Sequence, residues 1–207
     1  MKTKLFVIIL LFLSCAVKAQ DDKLTRNDSL AKFYAGAMEK CLYKKEQDTT
    51  QYKNLRTEVI NLNLPFCDSI VLFYDLAFYD VEDNMQNWRQ YANTVFEYVK
   101  RYAYDNHMSL DHFAWEFYRH TNDMVYLNKA LGWIKHAFEL SPDCEHAYMY
   151  TALLFRLDKK EEAEVMVKKT IELTRTNEAD ACMYMESLFR DFKIMRSGEV
   201  IKWEDAK

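Results

Sequence analysis

The sequence is poor in the residues that turn a chain sharply: three glycines and two prolines in 207 residues. Sandwiches and barrels need Gly and Pro at their many tight turns, so the shortage argues against an all-β fold and for an all-α one. The glycines are isolated at Gly36, Gly132 and Gly198, which excludes a glycine-rich phosphate loop. There is no C-x-x-C and no H-E-x-x-H, so neither a dithiol redox motif nor a helical zinc-hydrolase motif is present. Five histidines (His107, His112, His120, His136 and His146) are spread without ligand spacing, and "DCEH" pairs Cys144 with His146 as only two metal donors. His112 in "LDH" is far in sequence from any cysteine that could form a nucleophile pair with it. These absences predict a protein that is not an enzyme and holds no cofactor or metal.

Long apolar runs are also missing, except at the start. Lys2 and Lys4 precede nine apolar residues, Leu5 to Leu13, and Val17 and Ala19 occupy the small-residue positions of a signal peptidase site. Nine residues at about 1.5 Å each fall well short of a hydrocarbon core of roughly 30 Å. Residues 1–19 therefore read as a cleaved export signal, with a mature start at Gln20 and a periplasmic or secreted location. "FLSC" offers an alternative, a lipoprotein anchored through Cys15, although Phe12 stands where leucine is usual.

Loss of Lys2, Lys4 and Lys18 would leave 25 basic against 32 acidic residues, a net charge of −7. A nucleic-acid partner is excluded on that balance, because the densest basic stretch, "MVKKTIELTR", interleaves Lys168, Lys169 and Arg175 with Glu172. Half the residues are hydrophobic and 15% are aromatic, so the chain folds around a real core. After cleavage four cysteines remain, Cys41, Cys67, Cys144 and Cys182, at spacings of 26, 77 and 38 residues. They read either as small apolar residues on helix faces or as one or two disulfides, with three pairings open.

Apolar residues at i, i+3, i+4 and i+7 predict about nine helices in antiparallel pairs. The first runs through "SLAKFYAGAMEKCLYKK". The second starts near Tyr52 and ends before Pro65, and the third is capped by Asp68 or Ser69. The fourth is "NMQNWRQYANTVFEYVKRYA", the fifth "SLDHFAWEFYRH", the sixth "VYLNKALGWIKHAFEL" and the seventh "EHAYMYTALLFRL". Asp158 and Glu161 have capping-box spacing for the eighth. The ninth reaches about Ser197, where Gly198 fits a left-handed stop. The remainder, 199–207, is a tail that Trp203 could pin to the body.

Three of these helices share a pattern. Ala92-x3-Phe96-x2-Val99 is followed 38 residues on by Ala130-x3-Ile134-x2-Ala137, and 33 residues on again by Ala163-x3-Val167-x2-Thr170. The helices before the last two match as well, through Ala114-x2-Phe117 and Ala152-x2-Phe155. A helix–turn–helix unit near 34 residues with A-x3-F and a closing proline, here Pro142, resembles the tetratricopeptide repeat. The resemblance is fullest over residues 109–175 and weaker over 68–104, where Asp80 breaks the first-helix pattern. It implies a right-handed superhelical array over 68–198, after an N-terminal helical region at 20–67. Within it, Gly132 should lie on the outer face or at a close helix crossing.

"DHFAWEFYRHTNDMVYLNKALGWIKHAFELSPD" and "YTALLFRLDKKEEAEVMVKKTIELTR" also resemble the helical C-terminal region of secreted thioredoxin-family proteins from Gram-negative bacteria. The resemblance covers about residues 85–175, with Asp158 where a glycine is usual. The thioredoxin domain itself is absent, so the resemblance implies a scaffold and an envelope location but no redox residues. In tetratricopeptide arrays the first helices line the binding face. By that analogy His112, Trp115, Glu116, Arg119, Tyr148, Met149 and Arg156 are candidates to contact a protein or peptide partner. The expected function is partner binding by an exported repeat protein. The alternative is an accessory to thiol-redox or folding chemistry beside a separate thioredoxin-fold protein.

Overall fold

The computed structural model describes residues 26–43, 48–79, 87–176 and 181–201, with side chains from 27 onward except those of 176 and 181–187. The proposed signal and its Cys15 alternative, the side chain of Cys182, and Trp203 lie outside what is described. All regular structure among the described residues is helical. In chain order the α-helices are α1 (Arg26–Leu42), α2 (Thr49–Leu62), α3 (Cys67–Phe78), α4 (Trp88–Tyr98), α5 (His107–His120), α6 (Met124–Leu140), α7 (Cys144–Arg156), α8 (Lys160–Thr176) and α9 (Ala181–Ser197). A single π-helical turn, Val99–Ala103, continues α4 where the sequence pattern predicts plain α-helix. No described helix is long and apolar enough to cross a membrane.

Short acidic and amide side chains set the helix starts. Asp48, Asn106, Asp123 and Asp143 each accept a hydrogen bond from a backbone N–H of the first turn, at Gln51, Ser109, Val125 and His146. Such caps satisfy donors that have no partner within the helix. The Asp48 cap moves the start of α2 back to Thr49, ahead of the predicted Tyr52. α3 begins at Cys67, before either predicted cap, and the Ser69 hydroxyl donates instead to Phe66 O at 2.9 Å.

Asp158 requires a correction. It does not open α8 through a capping box; it closes α7 in left-handed conformation, with φ 57°. Its N–H donates to Phe155 O at 3.0 Å and that of Lys159 to Leu154 O at 2.9 Å. This is the paired-bond helix stop that usually employs glycine. Gly198 ends α9 in the predicted manner, with φ 85°.

The chain forms two units, Met1–Ile70 and Val71–Lys207, divided within α3. In the first, α1 packs on α2. Tyr34, Met38, Cys41 and Leu42 are buried on one side, and Tyr52 and Val59 on the other. The Tyr34 hydroxyl donates to Glu58 Oε1 at 2.6 Å across the pair.

In the second unit, consecutive helices form the close pairs α5–α6 and α7–α8. Contacts also run from α6 to α7, from α5 to α7 and from α7 to α9. The positions of the sequence pattern are interior: Ala92, Ala130 and Ala163 are fully buried, as are Ala114, Ile134, Ala137 and Thr170. Alanine at a crossing lets two helix backbones approach, and the large partner fills the space beside it. Gly132 lies on the outer face, where an added Cβ would meet nothing within 4 Å.

Candidate partner-binding face

α5 and α7 are the first helices of successive pairs, and they contact each other directly. Polar bonds pin this seam at both ends. At the N-terminal end, His107 Nδ1 lies 3.2 Å from His146 Nε2, and His146 Nδ1 lies 2.6 Å from Asp143 Oδ1. Asp143 is the helix cap and lies within hydrogen-bond reach of His146 Nδ1, while His146 Nε2 and His107 Nδ1 share a second bond whose donor depends on the ring tautomers. At the C-terminal end, Arg156 Nη2 donates to Thr121 O at 3.1 Å and to Asn122 Oδ1 at 2.6 Å. The Arg156 guanidinium also lies 5.4 Å from the Tyr118 ring centre, and burial draws its pKa below the usual value.

The seven predicted contact residues divide in three ways. Trp115 and His112 are half-buried and Arg119 is exposed. Trp115 stacks on Tyr118 at 5.6 Å, with the Arg119 guanidinium 6.0 Å from its ring centre. Tyr148 and Arg156 are half-buried but bonded within the fold: the Tyr148 hydroxyl donates to Asp191 Oδ2 of α9 at 3.1 Å. Burial and the neighbouring Asp191 carboxylate push the Tyr148 phenol well up. Met149 is 3% exposed and Glu116 7%, so both belong to the interior and not to a contact surface. Their positions one residue after Tyr148 and Trp115 rotate them about 100° around the helix, into the pair. Burial would raise Glu116, but the His120 ring nitrogen at 3.4 Å and the charges of His112 and Arg119 outweigh it and hold the carboxyl low.

Sequence reading missed the occupant of this face. After the Gly198 turn, the chain returns to the core. Val200 packs against it, Ile201 is 2% exposed, and the Ile201 N–H donates to the Tyr118 hydroxyl at 3.1 Å. A cleft of about 260 Å³ beside it is lined by Arg156, Phe155, Asp158, Asn122, Leu127 and Gly198 among others. The one available signal was the V-I pair in a tail otherwise rich in charge.

The histidine pair was missed too, because the helix starts that join it are 39 residues apart in sequence. Its chemistry is that of a structural bond. His146 Nε2, where a nucleophile would have to stand for activation by the Asp143–His146 dyad, is filled by His107. Cys144 is not an activated thiol, since burial and then the Glu145 and Asp143 carboxylates push its pKa up. It lies in the first turn of α7. Cys41 and Cys67 are buried, and the Cys41 thiol donates to Ala37 O at 3.3 Å. Among the described residues, no group of three or more His, Cys, Asp or Glu side chains is placed to hold a metal ion. Comparison of the chain with protein-family models, curated proteins and solved structures finds no match.

Proposed function

We propose that this chain is an exported, non-enzymatic helical-repeat protein of the bacterial cell envelope, arranged in the tetratricopeptide manner, that binds an extended segment of another protein. The observation that carries this reading is the Tyr118 hydroxyl of α5, which already accepts a backbone N–H from a non-helical run of the chain at 199–201. A face that seats one non-helical segment through a backbone bond and an aliphatic side chain has the chemistry to seat another. The repeated burial of Ala114, Ala152, Ala130 and Ala163 supports the repeat arrangement. The α5–α7 and α7–α9 contacts support it as well.

The test is site-specific photo-crosslinking of the full chain in envelope extract. A photoreactive residue at Trp115 should yield a discrete protein adduct, and the same residue at Lys135 on α6 should not. Equal labelling from both positions, or turnover of a small-molecule substrate by the purified chain, would reject the reading.

A further inference from the structure

We propose that the segment from Gly198 to Ile201 is a built-in competitor: it occupies the partner site on the α5–α7 face, and an extended peptide carrying a β-branched aliphatic residue displaces it. This inference rests on the partner-binding reading and names the regulation of that same face.

Four observations carry it. First, the segment is not a continuation of α9, because Gly198 breaks the helix at φ 85° and turns the chain. Second, Ile201 enters the core 83 residues away in sequence from the side chain that receives its N–H, so the contact is tertiary and not part of the helix stop. Third, the receiving hydroxyl belongs to Tyr118, whose ring stacks on Trp115 and faces Arg156, two residues that analogy to the tetratricopeptide repeat assigns to partner contact. Fourth, the mode of attachment is generic. A backbone N–H on a tyrosine oxygen and a buried isoleucine side chain can be supplied equally by another extended chain, without any residue specific to this one. Glu199, in the same segment, is exposed, and its carboxylate accepts from the Ser197 hydroxyl at 3.1 Å.

An attached competitor acts at a high effective concentration, so a free peptide must meet a much higher threshold to bind. Release of the segment lowers that threshold. The experiment uses the full chain and a fluorescent peptide with the sequence of residues 196–207, followed by anisotropy. Ile201→Asp in the full chain should release the segment, because a carboxylate is not accommodated at a site that is 2% exposed. The variant should bind the peptide at least 10-fold more tightly than the unaltered chain. The same peptide with aspartate at the isoleucine should fail to bind.

Two further measurements guard against a variant that only unfolds. In the unaltered chain, the Ile201 amide should exchange with solvent at least 10-fold faster than amides in the middle of α7, which reports local opening. Tyr118→Phe keeps the ring and removes the acceptor, and should speed that exchange several-fold. Exchange of Ile201 only by global unfolding would overturn the proposal. So would a folded Ile201→Asp chain that binds the peptide no better than the original. Either result could stand beside a specific adduct from Trp115, so failure here is distinguishable from failure of the partner-binding reading.

Discussion

Asp111 is the sharpest test of the electrostatics at the α5–α7 seam. It lies one turn beyond His107 on α5, and its Oδ1 is buried with no hydrogen-bond partner among the described residues. Burial pushes its carboxyl up to about 6 from 3.8; the Glu145 and Asp143 carboxylates push the same way, and only His146 opposes them. A folded carboxyl that titrates near 6 holds its proton more tightly than the unfolded one. Its contribution to stability is therefore greatest below pH 3.8, declines as pH rises towards 6, and leaves the full cost of a charged Asp111 above that. At roughly 1.4 kcal/mol for each pH unit, the cost approaches about 3 kcal/mol. Asp111→Asn removes the charge but keeps a buried polar group, whose own unmade bonds cost about 1–2 kcal/mol.

The net expectation is a gain of about 1–2 kcal/mol at pH 7.5 and no gain at pH 4. Urea denaturation of both chains at the two pH values measures it, through a shifted midpoint at unchanged slope. Asp143 has the opposite sign. Burial would raise it, but the His146 backbone N–H and ring outweigh burial and hold it low. Its contribution is thus lost only below pH 3.8, equally in both chains. The same stability change at both pH values, or a loss at pH 7.5, would refute the assignment of Asp111 as an uncompensated buried carboxylate.

Gly132→Ala should raise stability by about 1 kcal/mol and the melting temperature by about 2–4 °C, because the added methyl meets empty space on a helix interior. A loss of stability by calorimetry would mean that this face is covered. Asp158→Gly should hold or raise stability by up to about 1 kcal/mol, since glycine suits φ 57° and the Lys160 ion pair it removes is exposed. Asp158→Val should lower it by about 1–2 kcal/mol; equal urea midpoints for the two would contradict the left-handed stop. Ala152→Leu should cost about 1–3 kcal/mol by overpacking, because Ala152 is 1% exposed within the helix core. An unchanged midpoint would show slack at that position.

The all-α class and the helix order were legible because both rest on local signals: few turn-forming residues, the 3.6-residue apolar period, and one proline after α6. The small-residue pattern also anticipated Ala92, Ala130 and Ala163 as interior positions. Helix starts were less legible where a cap lay outside the apolar run, as Asp48 does. Asp158 was misread because D-x-x-E spacing in sequence does not reveal the sign of φ, which the paired bonds from Asp158 and Lys159 back to α7 determine. Met149 and Glu116 were misplaced because analogy to a binding face fixes which helix contributes, but not which residues of each turn point outwards. His107 and His146 gave no local signal of their pairing, and Ile201 only that of the V-I pair, because each finds its partner through tertiary folding.

The polar pins explain why the α5–α7 face can be a defined surface. Buried alanines such as Ala114 and Ala152 present only a methyl, which by itself fixes no axial register between helices. Register must come from directional bonds. Here they lie at the two ends, as His107–His146–Asp143 and as Arg156 to Thr121 and Asn122. About 14 residues of helix at 1.5 Å each separate them, a lever of roughly 20 Å. A sliding or splaying motion of α7 against α5 must break bonds at both ends together. Tyr118, one turn from the Arg156 pin, therefore stands at a fixed point, and an N–H bonded to its hydroxyl meets a preorganised acceptor. That is the physical basis for the proposal that a chain segment binds at this seam and not on the apolar side chains exposed along α6.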